Sequence, residues 1–215
     1  PSIVVAGGGT RRIRLAGLPS NDTWARDCGP ITVLEDGRPV LLDYGFNGWG
    51  LKFAANHDNQ LTRLLHAAGV FGAARREVPG LVFEGGSIES DGAGCLLTTA
   101  CCLLEANRNP HLERAALEAA LLEQLGARRL HWLEHGQLAG DDTDGHVDTL
   151  ARLAPAGTIV YQGCDDPADE HFAELQAMAG ELAALRDLAG RPYRLVALPW
   201  PAPVVDDEDH RRRPG

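Results

Sequence analysis

A chain of 215 residues with 44% hydrophobic and 23% charged positions can bury one domain-sized core, which excludes disorder and collagen-like or coiled-coil architecture. Twenty basic against thirty acidic residues give a formal charge of −10, the wrong sign for a nucleic-acid backbone and a suitable one for cationic small molecules. Twenty-five glycines and thirteen prolines spread along the chain predict many turns and short elements. In chain order, a strand is expected over Arg12–Leu18, then a polar run Asn21–Asp27 and a hairpin of Ile31–Leu34 and Val40–Tyr44 turning at Asp36-Gly37. A helix capped by Asn56 follows, with Leu61, Leu64, Leu65 and Ala68 on one face and Gly69 past its end.

The same order of signals then returns twice. The second copy has a strand over Val78–Phe83, the polar run Glu84–Ser87, a hairpin pivoting on Asp91-Gly92 into Cys95–Thr98, and a helix. That helix has Asn109 as cap, Pro110 at its first position, a stripe of Leu112, Ala115, Ala116, Ala119, Leu122 and Leu125, and Gly126 as its stop. The third has a strand over Arg129–Leu133, the polar run Asp141–Asp148, strands Thr149–Leu153 and Thr158–Tyr161 paired across Pro155-Ala156-Gly157, and a helix opening at Asp166-Pro167. Phe172, Leu175, Met178, Leu182, Leu185 and Leu188 make its stripe, it closes near Gly190, and a last strand covers Arg194–Leu198. Asp27 and Glu84 stand 57 positions apart, and Glu84 and His146 stand 62 apart. If the copies are related by rotation, their polar loops converge at one end.

Each loop carries chemistry. Asp27 precedes a Gly-Pro turn, where an acid most often only caps. Glu84 sits at a strand end, with two glycines after it that allow close approach of backbone or ligand. Gly140–Asp148 packs four aspartates and one histidine into nine residues. In an extended segment His146 and Asp148, at i and i+2, share one face, and a carboxylate beside an imidazole favours its cationic form, an acid able to protonate a leaving group and then act as a base. A divalent-metal site is ranked below acid–base work, because no second histidine cluster completes a metal shell.

The five cysteines, Cys28, Cys95, Cys101, Cys102 and Cys164, are odd in number, form no C-x-x-C pair and show no zinc-ligand spacing, so a reduced cytoplasmic protein is expected. Ile3–Gly9 is apolar but far too short to span a bilayer. The opening on Pro1 without a methionine suggests a fragment, and the tail Asp206–Gly215 reads as a solvated charged loop.

The runs Trp24–Pro30, Phe83–Ser87 and Gly145–Asp148, with Phe46–Gly50 and Leu103–Pro110, together resemble the agmatine deiminase and bacterial peptidylarginine deiminase family. The resemblance implies an α/β pentein-type propeller of five ββαβ units around a pseudo-fivefold axis, of which residues 1–215 would form one incomplete domain of about three repeats. It also implies hydrolytic deimination of a guanidinium compound, agmatine to N-carbamoylputrescine and ammonia ahead of peptidylarginine, through a cysteine adduct and with no cofactor. By the same resemblance Asp27 and Asp148 would grip the guanidinium, Trp24 would wall the pocket, His146 would serve as acid and base, and Glu84 would hold His146 and the substrate. The family's nucleophile belongs to a glycine-rich segment near the C-terminus that this sequence does not show, so the chain by itself is expected to be inactive. Cys28, inside the Asp27 motif, is expected to point to the opposite strand face, while Cys95, Cys101 and Cys102 read as buried small hydrophobes and Cys164 as a turn residue. Amidino transfer and non-catalytic binding of guanidino compounds remain as alternatives. Neither nucleic acid nor membrane is expected as a partner, and oligomeric state is unreadable although relatives often pair.

Overall fold

The computed structural model describes residues 15–201, 204–205 and 212–213. Three β-sheets of three strands each repeat one plan. In the first, β1 (Ile31–Glu35) pairs antiparallel with β2 (Arg38–Leu42), and β3 (Arg75–Glu77) joins β2 in parallel. The left-handed conformations of Asp36 and Gly37 (φ 50° and 75°) close the hairpin, where glycine and aspartate carry that backbone at little cost. The second sheet repeats this with β4 (Glu89–Ser90), β5 (Cys95–Thr99) and β6 (Arg129–Leu133), and the third with β7 (Ala151–Ala154), β8 (Thr158–Gln162) and β9 (Arg194–Leu198). Each parallel pair needs a crossover, and each crossover contains a helix: α3 (Leu61–Ala67), α5 (Arg114–Gln124) or α7 (Phe172–Ala184).

Short turns punctuate the units. One precedes each hairpin: α1 (Ala25–Cys28), a 3₁₀ turn at Gly85–Ser87, and α6 (Val147–Leu150). Others, α2 (Gly48–Leu51) and α4 (Ala100–Leu103), follow the central strands of the first two sheets, and a 3₁₀ turn at Asp58–Gln60 leads into α3.

Two cores fill the space between units. Val40, Leu42 and Phe83 meet Leu117 and Leu121 of α5 on one side of the middle sheet, while Leu97 and Leu133 meet Val147, Leu175, Met178 and Leu182 on the other. Successive residues of a strand face opposite ways, so Leu96 serves the first core and Leu97 the second, and all five residues of β5 are buried.

The repeat and its order hold, but several predicted boundaries do not. Residues 15–18 are not strand, and 12–14 lie outside the described residues. Val78–Phe83 is not a strand either: Pro79 lacks a donor, Gly80 turns left-handed (φ 83°), and only the surroundings of Gly45 are bridged, with Gly45 donating to the Leu81 carbonyl and Phe83 to that of Gly45. Asn56 caps no helix, since Gln60 occupies the cap of α3.

Asn109 also caps nothing. Its side chain accepts from the Val82 amide (3.1 Å) and donates to the Val82 carbonyl (2.8 Å), so α5 starts only at Arg114 after Glu113, and Pro110 stands outside it. Ala115, Ala116 and Ala119 face solvent, because the core takes the larger apolar area of Leu117 and Leu121 instead. The third hairpin begins at Ala151, since 147–150 is helical. The last helix begins at Phe172, not at Asp166-Pro167, and leaves Leu185 and Leu188 beyond its end. In the tail, β10 (Val204–Val205) pairs antiparallel with β11 (Arg212–Arg213), so Arg212 and Arg213 are not loop; 206–211 and 214–215 lie outside the described residues. Among the described residues no helix is long and apolar enough to cross a membrane.

Candidate active site

The three turns that precede the hairpins meet, and they bring Asp27, Glu84 and His146 together. Asp27, buried at the second-last position of α1, accepts through Oδ1 from the Gly86 amide (2.8 Å) and through Oδ2 from the Trp49 indole N–H (3.0 Å). His146 lies between the acids, with Nδ1 3.6 Å from Asp27 Oδ1 and Nε2 3.6 Å from Glu84 Oε2. Gly86 permits this approach, since a Cβ there would run into His146 Nδ1 and Asp27 Oδ1.

Each side chain is held from behind. Asn21 and Asp22 donate their amides to the buried Asp58 carboxylate (2.7 and 3.0 Å), while Asn21 Oδ1 accepts from the His57 amide (2.7 Å). This latch fixes the segment that carries Trp24 and Asp27. Trp49 sits in a left-handed turn (φ 56°, ψ 56°) that a free chain would avoid at a cost of about 1–2 kcal/mol, stabilised here by Asn47, which accepts from the Gly50 amide and donates to the Asn107 carbonyl.

Glu84 is fully buried and takes the Nε–H of the equally buried Arg108 at 2.8 and 3.2 Å. Burial pushes the Glu84 carboxyl up, but His146 and Arg108 together outweigh it and hold the group below the ordinary glutamate value. Arg108 then reaches the third unit, donating to Asp144 Oδ2 (2.7 Å) and to the Thr143 carbonyl (2.9 Å).

The four aspartates of the 141–148 loop separate into different jobs. Asp141 staples the loop, accepting from the Thr143 amide and hydroxyl and from the Gly145 amide. Asp144 is held below its ordinary value by Lys52 (2.5 Å) and Arg108 against the opposing effect of burial. Asp142 is exposed, and Asp148 opens onto a cavity beside His146. Burial and the neighbouring Asp27 charge push the Asp148 carboxyl up, only partly offset by His146, Arg152 and Arg26. His146 and Asp148 therefore share a cavity, though not by the predicted extended geometry: Val147 and Asp148 begin a helical turn for which His146 is the cap.

That cavity, about 620 Å³, is lined by Trp24, Trp49, Phe53 and five aspartates, with Arg26 and His146 also on its wall. Its size suits a small organic ligand, its charge a cation, and its indoles a flat cationic face. Trp24, 61% exposed, forms an outer wall. Glu84 does not line the cavity and stands behind His146. Of the five cysteines none lines it, and all are free. Cys28 closes a helical turn rather than facing away from a strand, packs with Phe46 and Trp49, and has its thiol pushed up to about 11 by burial and by Asp58. Burial also raises the Cys101 and Cys102 thiols.

Residues 3–214 match the model of the Porphyromonas-type peptidyl-arginine deiminases. The chain belongs to this family. An agmatine deiminase of Pseudomonas fluorescens is 38% identical over 203 residues, covering 92% of this chain and 54% of the relative. A C. jejuni agmatine deiminase, solved as a cysteine-to-serine variant with substrate bound, superposes with a TM-score of 0.85 at 38% identity over 95% of this chain and 58% of its own. A Porphyromonas gingivalis structure described provisionally as an arginine deiminase has a TM-score of 0.88 and 52% identity over 93% and 59% of the two chains. The chain thus spans little more than half the length of these relatives. Its three ββαβ units are part of a pentein-type α/β propeller.

Sequence motifs pointed to Asp27, Glu84, His146 and Asp148, and the structure gathers all four. They did not single out Arg108, Trp49, Asn47 or Asp58 for their present work, although the runs that contain the first three stood out. Asp58 gave no signal, because an aspartate that accepts two amides from a distant segment looks in sequence like any loop acid.

Proposed function

We propose that this chain supplies the guanidinium-binding acids and the acid–base group of a hydrolytic deiminase that converts agmatine to N-carbamoylputrescine and ammonia. The observation that carries this reading is the convergence of Asp27, His146 and Asp148 on one acidic cavity walled by indoles, with Glu84 ionised behind the histidine. Asp27 and Asp148 bind the planar cation by paired hydrogen bonds. A cysteine thiolate from the part of the family's length that this chain does not span attacks the central carbon. His146 gives a proton to the departing ammonia and then takes one from the water that breaks the C–S bond, which regenerates the thiolate. No cofactor enters this sequence. Five unpaired cysteines suit a reducing cytoplasmic setting.

Calorimetric titration of the 215-residue chain with agmatine should show binding without ammonia release, whereas a version extended to the family's full length should release ammonia. Turnover by the shorter chain would show the nucleophile to be misassigned, and no turnover by the longer one would end the deiminase reading. The 52% identity to the P. gingivalis protein favours a second reading, an arginine-type substrate. Citrulline formation from an arginine peptide by the extended protein, at higher kcat/KM than for agmatine, would select it.

A further inference from the structure

Glu84, Cys102 and His146 are all buried, and one potential ligand atom of each lies within 4.8 Å of the others. They come from the turn before β4, from α4 and from the start of α6, so no sequence spacing connects them. His146 Nε2 is buried and has no hydrogen-bond partner among the described residues; Glu84 Oε2 stands 3.6 Å away, beyond hydrogen-bond reach. A carboxylate, a thiol and an unpartnered imidazole nitrogen facing one point form the mixed oxygen, sulfur and nitrogen set that Zn²⁺ takes, with three protein ligands and a fourth position left for water.

We infer that Glu84, Cys102 and His146 form a zinc site, directly behind the cavity, whose occupation takes the imidazole nitrogen that His146 turns toward Glu84. Two ligands on a tetrahedral zinc stand about 3.4 Å apart given its usual bond lengths. The His146 to Glu84 separation of 3.6 Å already matches, and the Cys102 sulfur has at most about 1.4 Å to close by side-chain rotation and small shifts of its turn. Binding forms the Zn–S bond and releases the thiol proton to solvent. His146 also lines the cavity, so the site lies directly behind that wall. The metal takes the imidazole nitrogen and the carboxylate, so it is an inhibitor and not a cofactor; this consequence, unlike the site itself, rests on the deiminase reading.

The 215-residue chain, stripped with a chelator under reducing conditions, is titrated with zinc chloride and separately with cobalt chloride. One metal per chain is expected, with a thiolate-to-cobalt charge-transfer absorption. Cys102→Ser should abolish that band and weaken zinc at least about tenfold, since losing even an outer partner of a ligand costs about that much. Cys101→Ser, one residue away and outside the cluster, should keep it. X-ray absorption of the unsubstituted zinc complex needs no variant to fold, and it should show one sulfur among nitrogen and oxygen neighbours. A cobalt complex without a thiolate band, a band that survives Cys102→Ser, or a zinc shell of several sulfurs would overturn the site. Zinc should suppress ammonia release by the protein extended to the family's full length. Zinc bound through Cys102 that leaves that turnover unchanged would overturn the inhibitory role, while an extended protein that releases no ammonia even when metal-free would count against the deiminase reading only.

Discussion

Arg108 is the residue on which the buried side of the site depends. Its guanidinium neutralises Glu84, meets Asp144 and spans two units with no exposed side-chain surface. Arg108→Met leaves Glu84 buried without its cation, and we expect a loss of about 3–5 kcal/mol in urea unfolding together with weakened agmatine binding. Arg108→Lys should recover only part, because one ammonium cannot reach Glu84, Asp144 and the Thr143 carbonyl together. At Asp148 the sign is set by the raised folded-state pKa. The carboxyl takes up its proton at a pH above the ordinary aspartate value of 3.8, so agmatine affinity should fall on acidification earlier than for an unperturbed aspartate. Calorimetry of agmatine binding between neutral pH and pH 4 reads this, and the acid loss should shrink in Asp148→Asn, which binds weakly throughout.

At the scale of elements, the site depends on turns rather than on long helices or strands. Gly86 is the point where the site itself is tight, since a β-carbon there would push into both His146 and Asp27. Gly86→Ala should lower agmatine affinity more than tenfold while shifting the thermal midpoint by only a few degrees, because the turn itself needs no left-handed backbone there. A collapse in stability with affinity intact would contradict this placement. Trp49→Phe keeps the ring but removes the indole donor to Asp27, and we expect about 1–2 kcal/mol lost in urea unfolding. The hairpin strands and the stops at Gly69 and Gly126 were legible in sequence, and β6 and β9 run over the expected residues, whereas the last helix ends at Ala184, well short of its expected stop near Gly190. Starts were not: Asn109 reads as a helix cap by its type, but its side chain is spent on Val82, a contact between segments 27 residues apart.

For the whole molecule, β5 is the seam, with a core on each face. Leu97→Ala, at a fully buried position, should cost about 2–5 kcal/mol and loosen the second and third units together, seen as one cooperative transition at lower urea. The acidic cavity on a chain of net charge −10 should make agmatine binding weaken as salt is raised.

The sequence by itself determined the threefold recurrence, the hairpins and the candidate acids and histidine, because turn chemistry and hydrophobic period are local and each unit repeats them. It also separated the family, since three motifs in order are specific. Only the tertiary structure decided which aspartate of the 141–148 loop staples it, which is tied to Lys52 and Arg108 and which shares the cavity with His146 under the Asp27 charge, for the last two are set by residues of other units. Equally, it alone placed Arg108 against Glu84 and Cys102 beside His146. Such juxtapositions arise when three turns far apart in the chain are packed to one point, and no spacing within a single unit encodes them.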